Sequence, residues 1–119
     1  MQWIYLICTP KTYEKVDNMA TKSVLIIYTG GTIGMVNDPE TGALCPFNFE
    51  QIAKAVPEIK EFEFDIDSYT LPEIIDSSDI QPKVWAELCN IILEKYDKYC
   101  GFVILHGTDT MAYSASALS

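Results

Sequence analysis

Histidine is nearly missing from this chain, with His106 the single one in 119 residues, and the four cysteines are scattered at Cys8, Cys45, Cys89 and Cys100 without a Cys-x-x-Cys pair. A zinc centre draws on clustered thiolates and imidazoles, and a disulfide framework shows as a dense set of patterned cysteines, so neither is suggested. No metal and no cofactor are expected, and reduced thiols fit a cytoplasmic setting. Basic residues are also scarce. Eight Lys and Arg stand against seventeen Asp and Glu, a net charge of −9. Such a charge repels phosphate backbones and anionic membrane surfaces, so nucleic acid and membrane are not expected partners. No apolar run reaches the roughly 20 residues that cross a bilayer. Internal repeats and low-complexity linkers are absent as well.

What is present is enough for a real core: 49% of the residues are hydrophobic, in a chain of the size of one domain of about 100–150 residues. The opening Met1-Gln2-Trp3-Ile4-Tyr5-Leu6-Ile7-Cys8 is apolar. It lacks the basic residues and the small-residue cleavage pattern of a signal peptide. Met19-Ala20-Thr21-Lys22 reads as a natural start before the first strand. Residues 1–18 are therefore expected to be a disordered or misassigned extension outside the fold, and residues 19–119 one domain or part of one, truncated at the C-terminus.

From Ser23 the pattern alternates strand and helix. Ser23-Val24-Leu25-Ile26-Ile27-Tyr28 is a continuous apolar run suited to a central parallel strand. Asn48 and Gln51 form a capping-box pattern ahead of a short helix over residues 49–55. Phe62, Phe64 and Ile66 alternate with Glu61, Glu63, Asp65 and Asp67, the period of a second strand with one solvated face near the sheet edge. Trp85, Leu88, Cys89, Ile92, Leu93 and Tyr96 form an apolar stripe that predicts a helix over about residues 82–98, stopped by Gly101. Phe102-Val103-Ile104-Leu105 reads as a third strand, and Thr110 to Leu118 as the start of another helix. Right-handed crossovers then give an α/β fold, three-layered with a mainly parallel sheet, its first strand between the second and third. A crevice opens at the carboxyl ends of such strands, at the point where the chain reverses direction across the sheet.

Two glycine-rich turns border that crevice. Thr29-Gly30-Gly31-Thr32-Ile33-Gly34 follows the first strand, and His106-Gly107-Thr108-Asp109-Thr110 follows the third. Glycine lets a polar ligand approach the backbone and leaves N–H groups free to donate. The pair sets Thr32 and Thr108 on opposite walls, an arrangement that points to amide hydrolysis by a threonine nucleophile. Free amides would stabilise the oxyanion, and a carboxylate such as Asp109 would hold an ammonium group. Asp76-Ser77-Ser78-Asp79 adds hydroxyls and carboxylates from a third direction. Each feature has an ordinary use too: the first turn as a plain strand-to-loop connection, Thr108 as a helix cap, Asp109 as a complement to the helix dipole, Asp76 to Asp79 as a capped turn. His106 reads as a packed structural histidine rather than a general base. A nucleotide-binding module is a further alternative, although Gly30-Gly31-x-x-Gly34 lacks the Gly-x-Gly-x-x-Gly spacing and no P-loop lysine is present. Met35 to Pro46, flanked by Gly34 and containing Gly42, is expected to act as a closing lid.

Thr29-Gly30-Gly31-Thr32-Ile33-Gly34, Asp76-Ser77-Ser78-Asp79 and Gly101 through Tyr113, in this order and spacing, resemble the bacterial L-asparaginases, type I or cytoplasmic branch, over about residues 20–119. The resemblance implies the N-terminal part of that family's large α/β domain, and hydrolysis of L-asparagine to L-aspartate and ammonia through an acyl-enzyme. It implies Thr32 as nucleophile, Thr108 and Asp109 as the second catalytic cluster with Asp109 on the substrate's α-amino group, and Asp76, Ser77 and Ser78 as the loop holding the substrate's ends. It also implies a homo-oligomer at full length. A glutaminase-type subunit of a tRNA-dependent amidotransferase shares such motifs and is the related alternative. The loop Asp38 to Pro46 carries no tyrosine where many of the family place one to assist the nucleophile. The family's catalytic lysine lies beyond the matched segment, so these 119 residues alone are expected to be inactive.

Overall fold

In the computed structural model the described residues are 7–8, 23–30, 35–37, 41–46 and 65–119, and for 7–8, 35–37 and 44–46 the description is of the backbone alone. Among them six strands, β1 (Ile7–Cys8), β2 (Ser23–Tyr28), β3 (Met35–Asn37), β4 (Leu44–Pro46), β5 (Asp65–Thr70) and β6 (Gly101–Leu105), are joined by two helices, α1 (Pro82–Lys95) and α2 (Met111–Leu118). The main sheet has the order β1-β6-β2-β5. β2 runs parallel to both β5 and β6, which gives the expected central first strand.

The register decides where a site can form. Tyr28 stands opposite Thr70 on one side and Leu105 on the other, so the three parallel strands end flush. The loops that leave them therefore start at one level.

Alternate residues of the strands build the core. Leu25, Ile27, Phe102 and Ile104 share one face of the sheet with Leu71 and meet Val84, Leu88, Ile91 and Ile92 of α1, with Leu118 of α2 against the same cluster. Phe102 is held between two rings, stacked on Tyr96 at 6.4 Å and edge-on to Tyr99 at 5.9 Å. α1 starts behind Gln81 with Pro82 in its first turn, where a missing N–H costs nothing.

Several boundaries differ from the sequence reading. The second strand runs from Asp65 to Thr70, further along the chain than the Glu61–Asp67 alternation indicated. α1 ends at Lys95 rather than near 98, and Gly101 is the first residue of β6 instead of the helix stop. Leu93, placed in the apolar stripe, is 70% exposed, while Ile91 is buried in its stead. Each residue turns the helix by about 100°, so Leu93 falls past the edge of the stripe that Ile92 closes. Met35 to Pro46, expected as a loop that closes as a lid, contains an antiparallel ribbon of β3 with β4, with Gly42 between them at φ +68°. Of the expected N-terminal extension, Ile7–Cys8 pair antiparallel with Phe102 and Val103, and the rest of residues 1–18 lies outside the described residues. The expected helix over 49–55 also lies outside them. No described helix is long and apolar enough to cross a membrane.

Candidate active site

The flush strand ends are cross-linked by polar groups. Thr29, the first residue beyond β2, donates from its hydroxyl (2.9 Å) and from its N–H (3.1 Å) to the Leu105 carbonyl at the end of β6. Its own carbonyl accepts from Ile75 N at 3.0 Å, tying in the loop after β5. Gly30 follows at φ +129°, with the Ile75 backbone so close that a Cβ would lie 2.6 Å from Ile75 N. Only glycine takes this conformation and this contact together. The first motif thus enters the crevice pressed onto the loop that carries Asp76 to Asp79.

That loop makes a single turn of 3-10 helix over Ser77–Asp79, capped by Asp76. Asp76 Oδ1 accepts from Ser78 N at 3.0 Å and from the Ser78 hydroxyl at 2.9 Å. These two bonds, the backbone one foremost, hold the exposed Asp76 carboxyl below its ordinary range. Ser77 is 5% exposed and packs against Gly107, where any Cβ would collide with the serine side chain. The second glycine-rich turn therefore needs glycine at 107 in order to seat on this loop. The Thr110 hydroxyl completes the joint by donating to the Ser77 carbonyl at 2.5 Å.

Thr108 and Asp109 stand exposed on this turn, between two anchored neighbours. The cap position of α2 belongs to Thr110, not Thr108, and Thr110 makes no side-chain capping bond because its hydroxyl goes to Ser77. Among the described residues neither the Thr108 hydroxyl nor the Asp109 carboxylate has a partner, which leaves both available to a ligand. His106, by contrast, is buried, with both ring nitrogens in hydrogen-bonding contact with Gly107 and Ser114. That matches the reading of a packed structural histidine.

The structure thus brings Asp76, Ser77, Ser78, Thr108 and Asp109 to one end of the sheet with Thr29 and Gly30. Thr32 lies outside the described residues. Trp85 and Ser114 join the region from α1 and α2 through a 2.8 Å hydrogen bond; sequence reasoning placed Trp85 in the apolar stripe and did not single out Ser114. The signal for Ser114 was a serine amid alanine and methionine on a helix directly after the turn.

A mainly parallel sheet with turns meeting at its carboxyl ends and bearing hydroxyls and carboxylates defines an α/β protein of the architecture that takes ligands at that edge. The family model described as Asparaginase, N-terminal, matches residues 23–119. The chain belongs to the asparaginase family. It is 44% identical over 104 residues to L-asparaginase 1 of Escherichia coli strain K12, covering 85% of this chain and 30% of that protein. It is 46% identical over 98 residues to a glutamyl-tRNA(Gln) amidotransferase subunit of Pyrococcus horikoshii, covering 81% of this chain and 22% of that one. Among solved structures, L-asparaginase I from Vibrio cholerae O1 biovar eltor superposes with a TM-score of 0.68 at 44% identity, over 84% of this chain and 30% of its own. The chain therefore spans less than a third of the length of these relatives.

Proposed function

We propose that the full-length protein carrying this segment hydrolyses L-asparagine to L-aspartate and ammonia, with Thr32 as the nucleophile. The observation that carries the proposal is the Thr108–Asp109 pair, exposed and without partners among the described residues, on a turn pinned to Ser77 at both ends. Gly30, two positions before Thr32 in the sequence, is seated against the Ile75 backbone at the start of the loop that carries Asp76 to Asp79. Kinship with L-asparaginases supports the same assignment.

In this reading the Thr32 hydroxyl attacks the side-chain amide carbon of asparagine. A C–O bond forms, the C–N bond breaks, and ammonia leaves after taking up a proton. Thr108 orients the water that then cleaves the ester and restores the threonine. The Asp109 carboxylate holds the substrate ammonium, as its charge and exposure suit. The Ser77 hydroxyl donates to the substrate α-carboxylate, while Ser78, whose N–H and hydroxyl both go to Asp76, shapes the turn. No metal or cofactor has a part. We place the protein in the cytoplasm, consistent with the free thiols of Cys89 and Cys100, and expect a homo-oligomer.

Ammonia release from asparagine by the full-length protein tests this. Thr32→Ala is expected to lower the rate at least about a hundredfold, equivalent to about 2.7 kcal/mol. An unchanged rate in that variant removes the nucleophile assignment. The likeness to the amidotransferase of Pyrococcus horikoshii favours a second reading, in which the ammonia passes to a tRNA-bound amino acid. Stimulation of ammonia release by glutamyl-tRNA(Gln) would favour that reading over the first.

A further inference from the structure

A line of hydrogen bonds runs from α1 through α2 into the second glycine-rich turn. Trp85 Nε1 lies 2.8 Å from Ser114 Oγ, Ser114 Oγ lies 2.8 Å from His106 Nε2, and His106 Nδ1 lies 2.6 Å from the Gly107 carbonyl oxygen. One assignment of protons uses every link with a singly protonated ring. A carbonyl oxygen only accepts, so the ring proton sits on Nδ1. An indole N–H only donates, so Ser114 Oγ accepts from Trp85. Nε2 is then an acceptor and takes the serine's one proton. Donation runs in a single direction, from Trp85 to Ser114 to His106 to Gly107.

We propose that Trp85, Ser114 and His106 form a positioning relay that sets the orientation of Thr108 and Asp109 for catalysis. The relay ends on the carbonyl of the peptide bond that leads into Thr108. Because that peptide is planar, holding the Gly107 oxygen holds the plane from which Thr108 departs. The opposite side of the turn is held by Ser77, through its close approach to Gly107 and through the Thr110 hydroxyl. Thr108 and Asp109 are thus an exposed pair whose flanking residues are both fixed. Ser114 and His106 are closed off from substrate, at 2% and 7% exposed, and both imidazole nitrogens are engaged. A buried imidazole in this arrangement is not a general base. Its place is to pass the constraint of two helices into the turn.

This inference rests on the reading of Thr108 and Asp109 as substrate-facing, and its test has an arm that does not depend on that reading. In full-length protein labelled with 15N-histidine, the resonance of His106, assigned by its loss in His106→Asn, is expected to show the proton on Nδ1. Ser114→Ala is expected to redistribute that proton between the two nitrogens and to shift the amide resonances of Gly107, Thr108 and Asp109. Ser114→Thr, which keeps the hydroxyl, is expected to restore both. kcat/KM for asparagine should fall about tenfold in Ser114→Ala and recover in Ser114→Thr, while His106→Asn, whose amide reaches the Nδ1 position, should retain more activity than His106→Leu. Trp85→Phe removes only the first donor and keeps the packing, so a loss of about threefold is expected there even if Ser114→Ala does not fold. A proton on Nε2 in the unsubstituted protein would overturn the proposal. So would a Ser114→Ala protein whose melting temperature falls while its turn resonances and kcat/KM stay in place. A full-length protein inactive on asparagine would sink the proposed function and leave the tautomer and the turn resonances to decide the relay.

Discussion

The two ends of the parallel sheet are built on different physics. At the carboxyl end the chain buries polar side chains: Thr29, Ser77, His106 and Ser114, the four buried polar residues among those described, all lie there. Toward the amino end the charged groups are on the surface. Lys98 Nζ pairs with Asp67 Oδ2 at 3.2 Å and the Tyr99 hydroxyl donates to the same oxygen at 2.7 Å, with both charged side chains more than half exposed. A hollow of about 370 Å³ beside them is lined by Leu25, Ile66, Asp67, Tyr69, Lys95 and Tyr99, and it touches none of the site residues.

A hydrogen bond inside the protein is costly to break, because the stranded partner has lost its water and receives nothing in return, at about 1–3 kcal/mol. An exposed ion pair contributes about 0–1 kcal/mol. The carboxyl end is therefore the costlier of the two to disturb, and it is the end on which the exposed Thr108 and Asp109 stand. No buried side-chain nitrogen or oxygen among the described residues lacks a partner, so this burial carries no uncompensated desolvation.

Substitutions at the two ends should differ accordingly. The largest effect is expected from Gly30→Ala, where the positive φ alone costs about 1–3 kcal/mol and the Ile75 backbone blocks the new methyl. Thermal unfolding should fall clearly below that of the parent, and an unchanged midpoint would contradict the tight seating of the first motif. Thr29→Val keeps the shape and the N–H bond to Leu105 but removes the hydroxyl bond, so a loss of about 1 kcal/mol is expected in denaturant titration.

Asp67→Asn, at the other end, should cost less than either. Its contribution carries a pH signature. The Tyr99 hydroxyl first, and Lys98 second, hold the Asp67 carboxyl below its ordinary 3.8. A depressed folded-state value means the carboxylate's contribution is present above about 3.8, where the unfolded chain titrates, and is lost as the pH falls through the lower folded value. The parent and Asp67→Asn should therefore converge in stability under acid and separate slightly above it. Convergence at neutral pH instead would show that the exposed pair contributes nothing.

How much of this was legible in the residues follows the same division. The apolar run of β2 and the stripe of α1 reveal themselves by period, since burial on one side selects residue type directly. The loops at Gly30, Ser77 and Gly107 stood out because glycine, threonine and serine mark turns whose backbones come close. The far end of the edge strand was missed because Ser68, Tyr69 and Thr70 do not continue the alternation of acidic and apolar residues that marks Asp65, Ile66 and Asp67. Leu93 was misread because a stripe two residues wide at each turn does not reveal which flank meets the sheet. The Trp85, Ser114 and His106 connection was invisible for a different reason. It joins two helices and a turn separated by up to 29 residues, and no local pattern records which serine a tryptophan will find.

Every role proposed for these residues requires that a small amino acid bind at the carboxyl end of this sheet, between the turn at Ser77 and the turn at Thr108. Titrating L-aspartate, the product of the proposed reaction, into the 15N-labelled full-length protein is the sharpest test. Saturable shifts are expected for the amides of Gly30, Ser77, Ser78, Thr108 and Asp109, with Asp67, Lys98 and Tyr99 unmoved. Shifts confined to the Asp67 and Tyr99 region, or none at saturating aspartate, would rule out binding at that end.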